Sequence, residues 1–244
     1  MHNVLTITSR ELKSYFSSPL SYIFIVIFLG LAGGMTFFFG NFIERRQADL
    51  YSFFQFHPYL YLFLIPAIGM RLWAEERKTG TVEFLMTLPV STGQAVIGKF
   101  LAAWVYAGIA LALTFPLWIT VNYLGEPDNG IILAAYFGSW LMAGGFLALS
   151  ASASALTNNQ VIAFVLGATV CFLFLMSGVE FVQSFFRAWA PDVIVDAVAG
   201  LSFLTHFSDI SQGVIDIRNI VFFASVIGIA LFVNTAIVEI KKGR

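Results

Sequence analysis

Long apolar stretches alternate with short polar segments along this chain. Six stretches rich in Leu, Ile, Val, Phe, Ala and Gly cover residues 19–40, 51–71, 96–124, 131–155, 160–182 and 218–238. Each reaches the roughly 20 residues that a helix needs to cross the hydrocarbon core of a bilayer. The pattern therefore predicts an all-α membrane protein with six transmembrane helices.

The second stretch is the least regular, because His57, Pro58 and Pro66 interrupt it. A proline inside a helix frees a carbonyl group, which in a membrane must bond to a neighbouring helix or to water. We therefore expect this segment to face the interior of the bundle or a partner rather than bulk lipid.

Helix-start signals lie at the edges of several stretches. Ser18–Pro19 offers an N-cap residue followed by proline at the first helical position. Ser91–Gln94 and Thr157–Gln160 both match the capping-box pattern. Asp216 is placed to cap the sixth span.

Composition supports the same class of protein. Hydrophobic residues make up 59% of the 244-residue chain and charged residues 11%, and the mean hydropathy is +0.84. A soluble globule of this size exposes too much surface to hide such a composition. The net charge of −1 argues against a nucleic-acid partner, because a basic phosphate-binding surface is missing.

The distribution of Lys and Arg predicts the orientation. With six spans both ends share one side, and that side holds nine of the thirteen cations. Because Lys and Arg concentrate in cytoplasmic loops, we expect both termini in the cytoplasm. The nine residues are Arg10, Lys13, Arg71, Arg77, Lys78, Lys99, Lys241, Lys242 and Arg244.

Residues 1–17 predict an amphipathic helix lying at the membrane interface rather than a cleaved signal peptide. Leu5, Leu12 and Phe16 recur near helical spacing and predict its apolar face. The polar side carries Arg10, Glu11, Lys13 and Ser14. The segment is either a membrane anchor or a contact surface for a cytoplasmic partner, and the pattern alone leaves both open.

Residues 180–216 are long for a loop but rich in apolar and aromatic side chains. This composition predicts short helices at, or dipping into, the outer membrane interface. A packed cap on the bundle with no role in transport is the alternative.

Charged residues cluster between the second and third spans. Gly80 interrupts the helical pattern, Thr81 can cap a new helix, Glu83 lies in its first turn, and Pro89 ends it. The sequence therefore predicts a short helix over residues 82–88 that projects into the cytoplasm and docks a partner. A solvated connector would need only an excess of cations, without ordered turn chemistry.

Motifs for catalysis are absent. Gly93–Lys99 fits the spacing of a phosphate-binding loop, but Phe100 stands where that loop needs Ser or Thr, and no strand precedes it. We interpret Lys99 as an interfacial cation that snorkels towards water. The histidines lack metal-ligand spacing. We therefore expect neither catalysis nor a bound cofactor.

The residues from Glu75 to Val90, followed by Gly98 and Lys99, resemble the signature of ABC-2-type transporter permeases, E-x-x-x-G-T-x-E-x-L-x-x-x-P with a later G-K. Residues 8–19 resemble the elbow helix of that family, and residues 154–163 resemble its turn between spans four and five. The chain looks closest to the gliding-motility-associated permeases, with the copper-nitrous-oxide maturation permeases next.

The resemblance implies a single type V exporter-like transmembrane domain over residues 1–244, with an elbow helix (1–17), a coupling loop (75–90) and an outer helical loop (180–216). It implies that the chain is the permease subunit of an exporter or ATP-driven machine in a bacterial inner membrane. The alternative hypothesis for its function is a secondary transporter or channel that works without ATP. Expected partners are a cytoplasmic ATPase dimer that carries ATP and Mg²⁺, a second permease subunit (we expect a homodimer), and a membrane-anchored auxiliary protein. The family's coupling role would fall on Glu75, Glu76, Gly80, Thr81, Glu83, Leu85 and Pro89, and its elbow contact on Arg10, Glu11 and Lys13.

Overall fold

The structure is a computed structural model that describes residues 2–81 and 90–242, and every regular element in those ranges is a helix. The helix α2 continues as a short π-helix, Met35–Phe39. The α-helices are α1 (His2–Ser17), α2 (Pro19–Gly34), α3 (Tyr51–Phe54), α4 (His57–Gly69), α5 (Ala74–Thr79), α6 (Thr92–Ala112), α7 (Phe115–Leu124), α8 (Asn129–Ala155), α9 (Gln160–Met176), α10 (Glu180–Arg187), α11 (Asp192–Ala199), α12 (Phe203–Ser211) and α13 (Ile217–Lys242).

Four helical segments in the described ranges are long and apolar enough to cross a membrane: Pro19–Phe39, Thr92–Leu124, Asn129–Ala155 and Ile217–Lys241. Two bent pairs also qualify when each is taken as one broken span. The helices α9 and α10 meet at 75°, and α11 and α12 meet at 58°. Length and composition therefore support four to six spans, which makes the chain a multi-pass membrane protein.

The second predicted span does not form one long helix. It divides into α3 and α4, and α4 has only 13 residues, or about 20 Å of a hydrocarbon core about 30 Å thick. Pro58 stands in the first turn of α4, where it has no N–H with which to continue the helix from α3. Nine residues of α4 are buried, Pro58 and Pro66 among them, as expected of a segment that faces the bundle.

Most predicted helix starts are confirmed. The Ser91–Gln94 capping box forms with both reciprocal hydrogen bonds at the start of α6. Asp216 accepts a hydrogen bond of 2.9 Å from the backbone of Arg218 at the start of α13. The cap assigned to Thr157 was wrong, because Asn159 accepts the first backbone N–H groups of α9. A side chain directly before the first helical turn reaches those groups more easily.

The long helix α8 lies at the centre and packs against α4, α6, α9, α12 and α13. Trp104 on α6 and Trp140 on α8 stack with ring centroids 4.2 Å apart. Each indole Nε1 donates to the backbone carbonyl of the other residue, at 2.9 and 3.3 Å. Gly108 and Gly144 leave the space that the two indoles occupy, since a Cβ at either would lie under 3 Å from a ring atom. We call this arrangement the tryptophan clasp.

Candidate functional site

The helix α1 lies against the first turns of α6. The side chain of Ile7 is buried on Gly98, where an added Cβ would lie 2.7 Å from the Ile7 Cγ2. The hydroxyl of Thr8 lies 3.2 Å from the carbonyl oxygen of Gly98 and 2.9 Å from that of Val4. Ile7 is the residue that anchors α1 on α6, whereas Leu5, on the predicted apolar face, is 66% exposed. Gly98 thus has a packing role rather than a role in a phosphate-binding loop.

Aromatic side chains fix the second half of α1. The ring of Tyr15 stacks on the ring of Tyr106 from α6, with centroids 4.9 Å apart. The Tyr106 hydroxyl donates in turn to the backbone carbonyl of Ser21 on α2, at 2.6 Å. Burial raises the pKa of Tyr15 well above its usual range, so the phenol stays protonated. The helices α1, α2 and α6 are therefore joined at this end of the bundle.

A serine on α8 holds the start of α5. The Ser154 hydroxyl oxygen accepts the backbone N–H groups of Trp73 and Ala74 at 3.2 and 3.0 Å, and donates to the Met70 carbonyl at 2.7 Å. The two N–H groups lie at the start of α5, where backbone N–H groups have no partners inside the helix. Gly80 ends α5 in the left-handed conformation, with a φ of 73°, as the sequence predicted for the break in the helix.

The amino group of Lys99 connects three helices. Its Nζ lies 2.5 Å from Glu76 Oε1 on α5 and 3.3 Å from Glu11 Oε2 on α1, and it sits 5.6 Å from the ring centre of Trp73. The Lys99 side chain is only 3% exposed. Among the residues that the structure describes, it is the one buried Lys, Arg, Asp or Glu. The interpretation of Lys99 as a snorkelling cation was wrong, because two carboxylates stabilise its charge inside the protein.

We call Lys99, Glu11, Glu76 and Trp73 the Lys99 cluster. Beside it, Arg71 and Glu75 form a bidentate ion pair, with Nε–Oε2 and Nη2–Oε1 distances of 2.7 and 3.3 Å. The hydrogen bond to Glu75 raises the pKa of Arg71. The bidentate geometry makes this one of the stronger kinds of surface ion pair.

A polar cleft of about 260 Å³ opens between α1 and α5. It is lined mainly by charged and hydroxyl-bearing side chains, including Glu11, Tyr15, Arg71, Glu75, Glu76 and Thr79. Among residues 2–81 and 90–242, which the structure describes, no group of His, Cys, Asp and Glu has the arrangement of a metal site. The charged side chains of the Lys99 cluster and of the Arg71–Glu75 pair therefore line an open cleft, on the side away from the apolar core.

The pKa of Glu11 predicts a pH effect on stability. Burial alone would raise this pKa, but the charge of Lys99, with the charge and hydrogen bond of Arg10, lowers it below its ordinary 4.5. An acid whose native pKa is lowered contributes stability above its unfolded pKa, and that contribution is lost as the pH falls through the native value. Between about pH 6 and about pH 3 the wild type should thus lose more stability than Glu11→Gln. Thermal unfolding in detergent checks this, and parallel curves for the two proteins would contradict it.

The predicted site residues fall into three groups. Glu11 and Glu76 meet at Lys99, while Glu75 pairs with Arg71. Exposed positions are held by Gly80, Thr81, Arg10 and Lys13, although Arg10 donates to Glu11 at 2.9 Å. Glu83, Leu85 and Pro89, with the predicted helix 82–88, lie outside the described residues.

Sequence reasoning missed Lys99, Trp73 and Ser154 as members of this site. A usable signal existed for Lys99, since it lies seven residues into a helix that begins at Thr92 and continues as an apolar run. A lysine at that depth needs a partner of opposite charge. The serine and tryptophan carry no comparable local signal.

The fold and this charged end together define a multi-pass helical membrane protein with a polar junction at one end of its bundle. The model of the ABC-2 family transporter proteins matches residues 34–186, so the chain belongs to the ABC-2 transporter family. Members form the membrane component of an ABC transporter and are not themselves catalytic, and the family implies an ABC ATPase as partner. No curated protein matches the chain at a significant level.

Proposed function

We propose that this chain is the permease subunit of an ATP-driven exporter or membrane machine, and that a separate ATPase drives it through the end of the bundle where α1, α5 and α6 meet. The observation that carries the proposal is the Lys99 cluster, in which one buried cation on α6 is bonded to carboxylates from α1 and α5. The chain itself would bind no cofactor, and ATP and Mg²⁺ would belong to the ATPase.

The contacts support a path for force into the bundle. A displacement of α5 would pull on α6 through Glu76 and Lys99, and on α8 through the hydrogen bonds of Ser154. A displacement of α1 would act on α6 through Glu11, Ile7 and Tyr15. Because packed interiors are stiff, such a displacement reaches the spans rather than being absorbed locally.

The remaining parts of the proposal rest on the charge distribution and on the family signature. Both termini would lie in the cytoplasm of a bacterium and the spans in its inner membrane, because most Lys and Arg residues fall on that side. A second copy would complete the permease. Gly30 and Gly34 on α2 support this, since nothing lies within 4 Å of a Cβ built at either and small residues at this spacing let membrane helices approach closely. A membrane-anchored auxiliary protein would complete the complex, as in gliding-type relatives.

Purification tests this function directly. A tagged chain extracted from its native membranes should carry an ABC ATPase in a fixed ratio, and the complex should hydrolyse ATP while the separated chain does not. ATP hydrolysis by the chain alone, or transport in vesicles that lack any ATPase, would contradict the proposal.

Reversing one charge in the coupling loop should uncouple the complex. From the sequence, Glu83 lies in the first turn of the predicted helix 82–88, where the helix dipole favours an anion. We expect Glu83→Lys to insert normally but to lower ATPase-coupled activity at least tenfold, because the reversed charge faces the partner. Glu126→Lys, at an exposed loop position, is the matched control and should retain activity. Equal activity in the two variants would count against a coupling role.

A further inference from the structure

An apolar groove runs along α13 on the outside of the bundle. Its volume is about 370 Å³. One end is lined by Leu156 and Ile237, and the other by Phe174 and Leu201. Among the described residues that line the groove, Ser152 is the one with a polar side chain. Its hydroxyl lies 2.8 Å from the Ala230 carbonyl oxygen and 3.0 Å from that of Ala148, so its proton is already shared. The wall therefore offers an occupant only apolar contact.

The dimensions of the groove decide what fits in it. Its lining on α13 runs from Val226 to Ile237, which at 1.5 Å per residue is about 16 Å. Dividing the volume by this length gives a mean cross-section of about 23 Å², which corresponds to a free width of about 5 Å. An α-helix with its side chains is about 10 to 12 Å across, so a second copy could place side chains in the groove but not a whole helix. A single hydrocarbon chain, about 4 to 5 Å thick by van der Waals distances, does fit.

Positive charge lies at one end of the groove. The Lys241 Nζ donates to the backbone carbonyl of Leu156, which itself lines the groove. Residues 239–244 carry three cations and one anion in the sequence. Clusters of cations beside membrane helices attract the headgroups of anionic lipids. A narrow apolar groove with a basic end is complementary to a phospholipid, which has an apolar acyl chain and an anionic headgroup.

We propose that this groove is a binding site for one acyl chain of an anionic phospholipid, whose headgroup lies beside Lys241. The lipid fills space between α8, α9 and α13 and completes their packing. This inference does not depend on the ATPase or on the direction of transport, so it stands or fails separately from the proposed function.

Native mass spectrometry of the purified chain tests the site. Detergent micelles are doped with phosphatidylglycerol or phosphatidylcholine of identical acyl chains. We expect one retained phosphatidylglycerol per chain in the wild type and at least tenfold less retention in Val233→Trp, because the indole fills the groove. Val221→Trp is the matched control. Both valines are exposed on α13, but Val221 does not line the groove, and this variant should retain the lipid.

The headgroup is tested separately. Lys241→Gln removes the charge but keeps a donor for the Leu156 carbonyl, and should reduce the preference for phosphatidylglycerol about fivefold. Equal retention by the wild type and Val233→Trp would overturn the proposal. So would equal retention of the two lipids by the wild type, or a disulfide that joins two copies of Val233→Cys through this groove.

Discussion

Lys99→Met is expected to destabilise the protein and to abolish coupled activity. The substitution leaves Glu11 and Glu76 facing each other without a cation in a largely buried site. Removing one member of a buried ion pair costs about 3 to 5 kcal/mol. Because the two carboxylates keep some contact with water, with 19% and 23% of their side chains exposed, we expect a loss of about 2 to 4 kcal/mol. That corresponds to about 4 to 16 °C in the unfolding midpoint of a chain of this size.

A second variant distinguishes the effect of losing the ion pairs between helices from the effect of losing stability. Lys99→Met combined with Glu11→Gln and Glu76→Gln removes all three charges, and replacing a whole buried ion pair by uncharged groups is often neutral for stability. This variant should regain most of the unfolding midpoint, but not the coupled ATPase activity, because the bonds from α1 and α5 to α6 are lost.

Arg187→Met is the control for loss of a cation. Arg187 is exposed on α10 and bonds only to Gln183 at 3.3 Å among the contacts described, so this variant should behave as the wild type. The coupling role would be refuted if the triple variant recovered full activity, or if Lys99→Met retained it. Thermal unfolding and ATP hydrolysis by the reconstituted complex provide both measurements.

Gly144→Val is expected to open the tryptophan clasp. Even a Cβ at position 144 would lie 2.7 and 2.8 Å from Trp104 ring atoms, and that indole is already stacked on Trp140 and bonded to its carbonyl. The added side chain must displace the ring, which combines overpacking with a lost buried hydrogen bond. We expect a loss of about 3 to 5 kcal/mol. The near-ultraviolet circular dichroism of the tryptophans should weaken along with the unfolding midpoint.

The matched control is Gly228→Val on α13, where nothing lies within 4 Å of an added Cβ. Both substitutions introduce the same β-branched residue into a membrane helix, so their difference isolates the contact with Trp104. Gly228→Val should change the stability by less than about 0.5 kcal/mol. If the two variants unfolded at the same temperature, the clasp would have no role in stability.

Local sequence signals predicted the elements that depend on neighbours along the chain. The Ser91–Gln94 capping box, the cap at Asp216 and the stop at Gly80 are each decided by groups within a few residues. The short helices between residues 180 and 216 were predicted from the apolar and aromatic composition of that segment, and they are present as α10, α11 and α12.

Contacts between distant residues were not predictable in this way. Lys99 lies 23 residues from Glu76 and 88 residues from Glu11 along the chain, and Ser154 lies 80 residues from Ala74. The contact of α1 with the bundle was not predictable either, because Gly98 creates the space that Ile7 fills. A periodicity identifies apolar positions, but it does not say which of them meets a complementary surface.

By itself the sequence determined the class of protein, several helix starts and the existence of a charged segment between apolar ones. These properties depend on composition and on interactions between residues that are close together in the sequence, so a short segment of the chain is enough to predict them. Only the tertiary structure decided that Lys99 is buried between Glu11 and Glu76, and that two tryptophans join α6 to α8. The physical reason is that a buried charge and a close helix contact are stable only when their partners arrive from elsewhere in the chain.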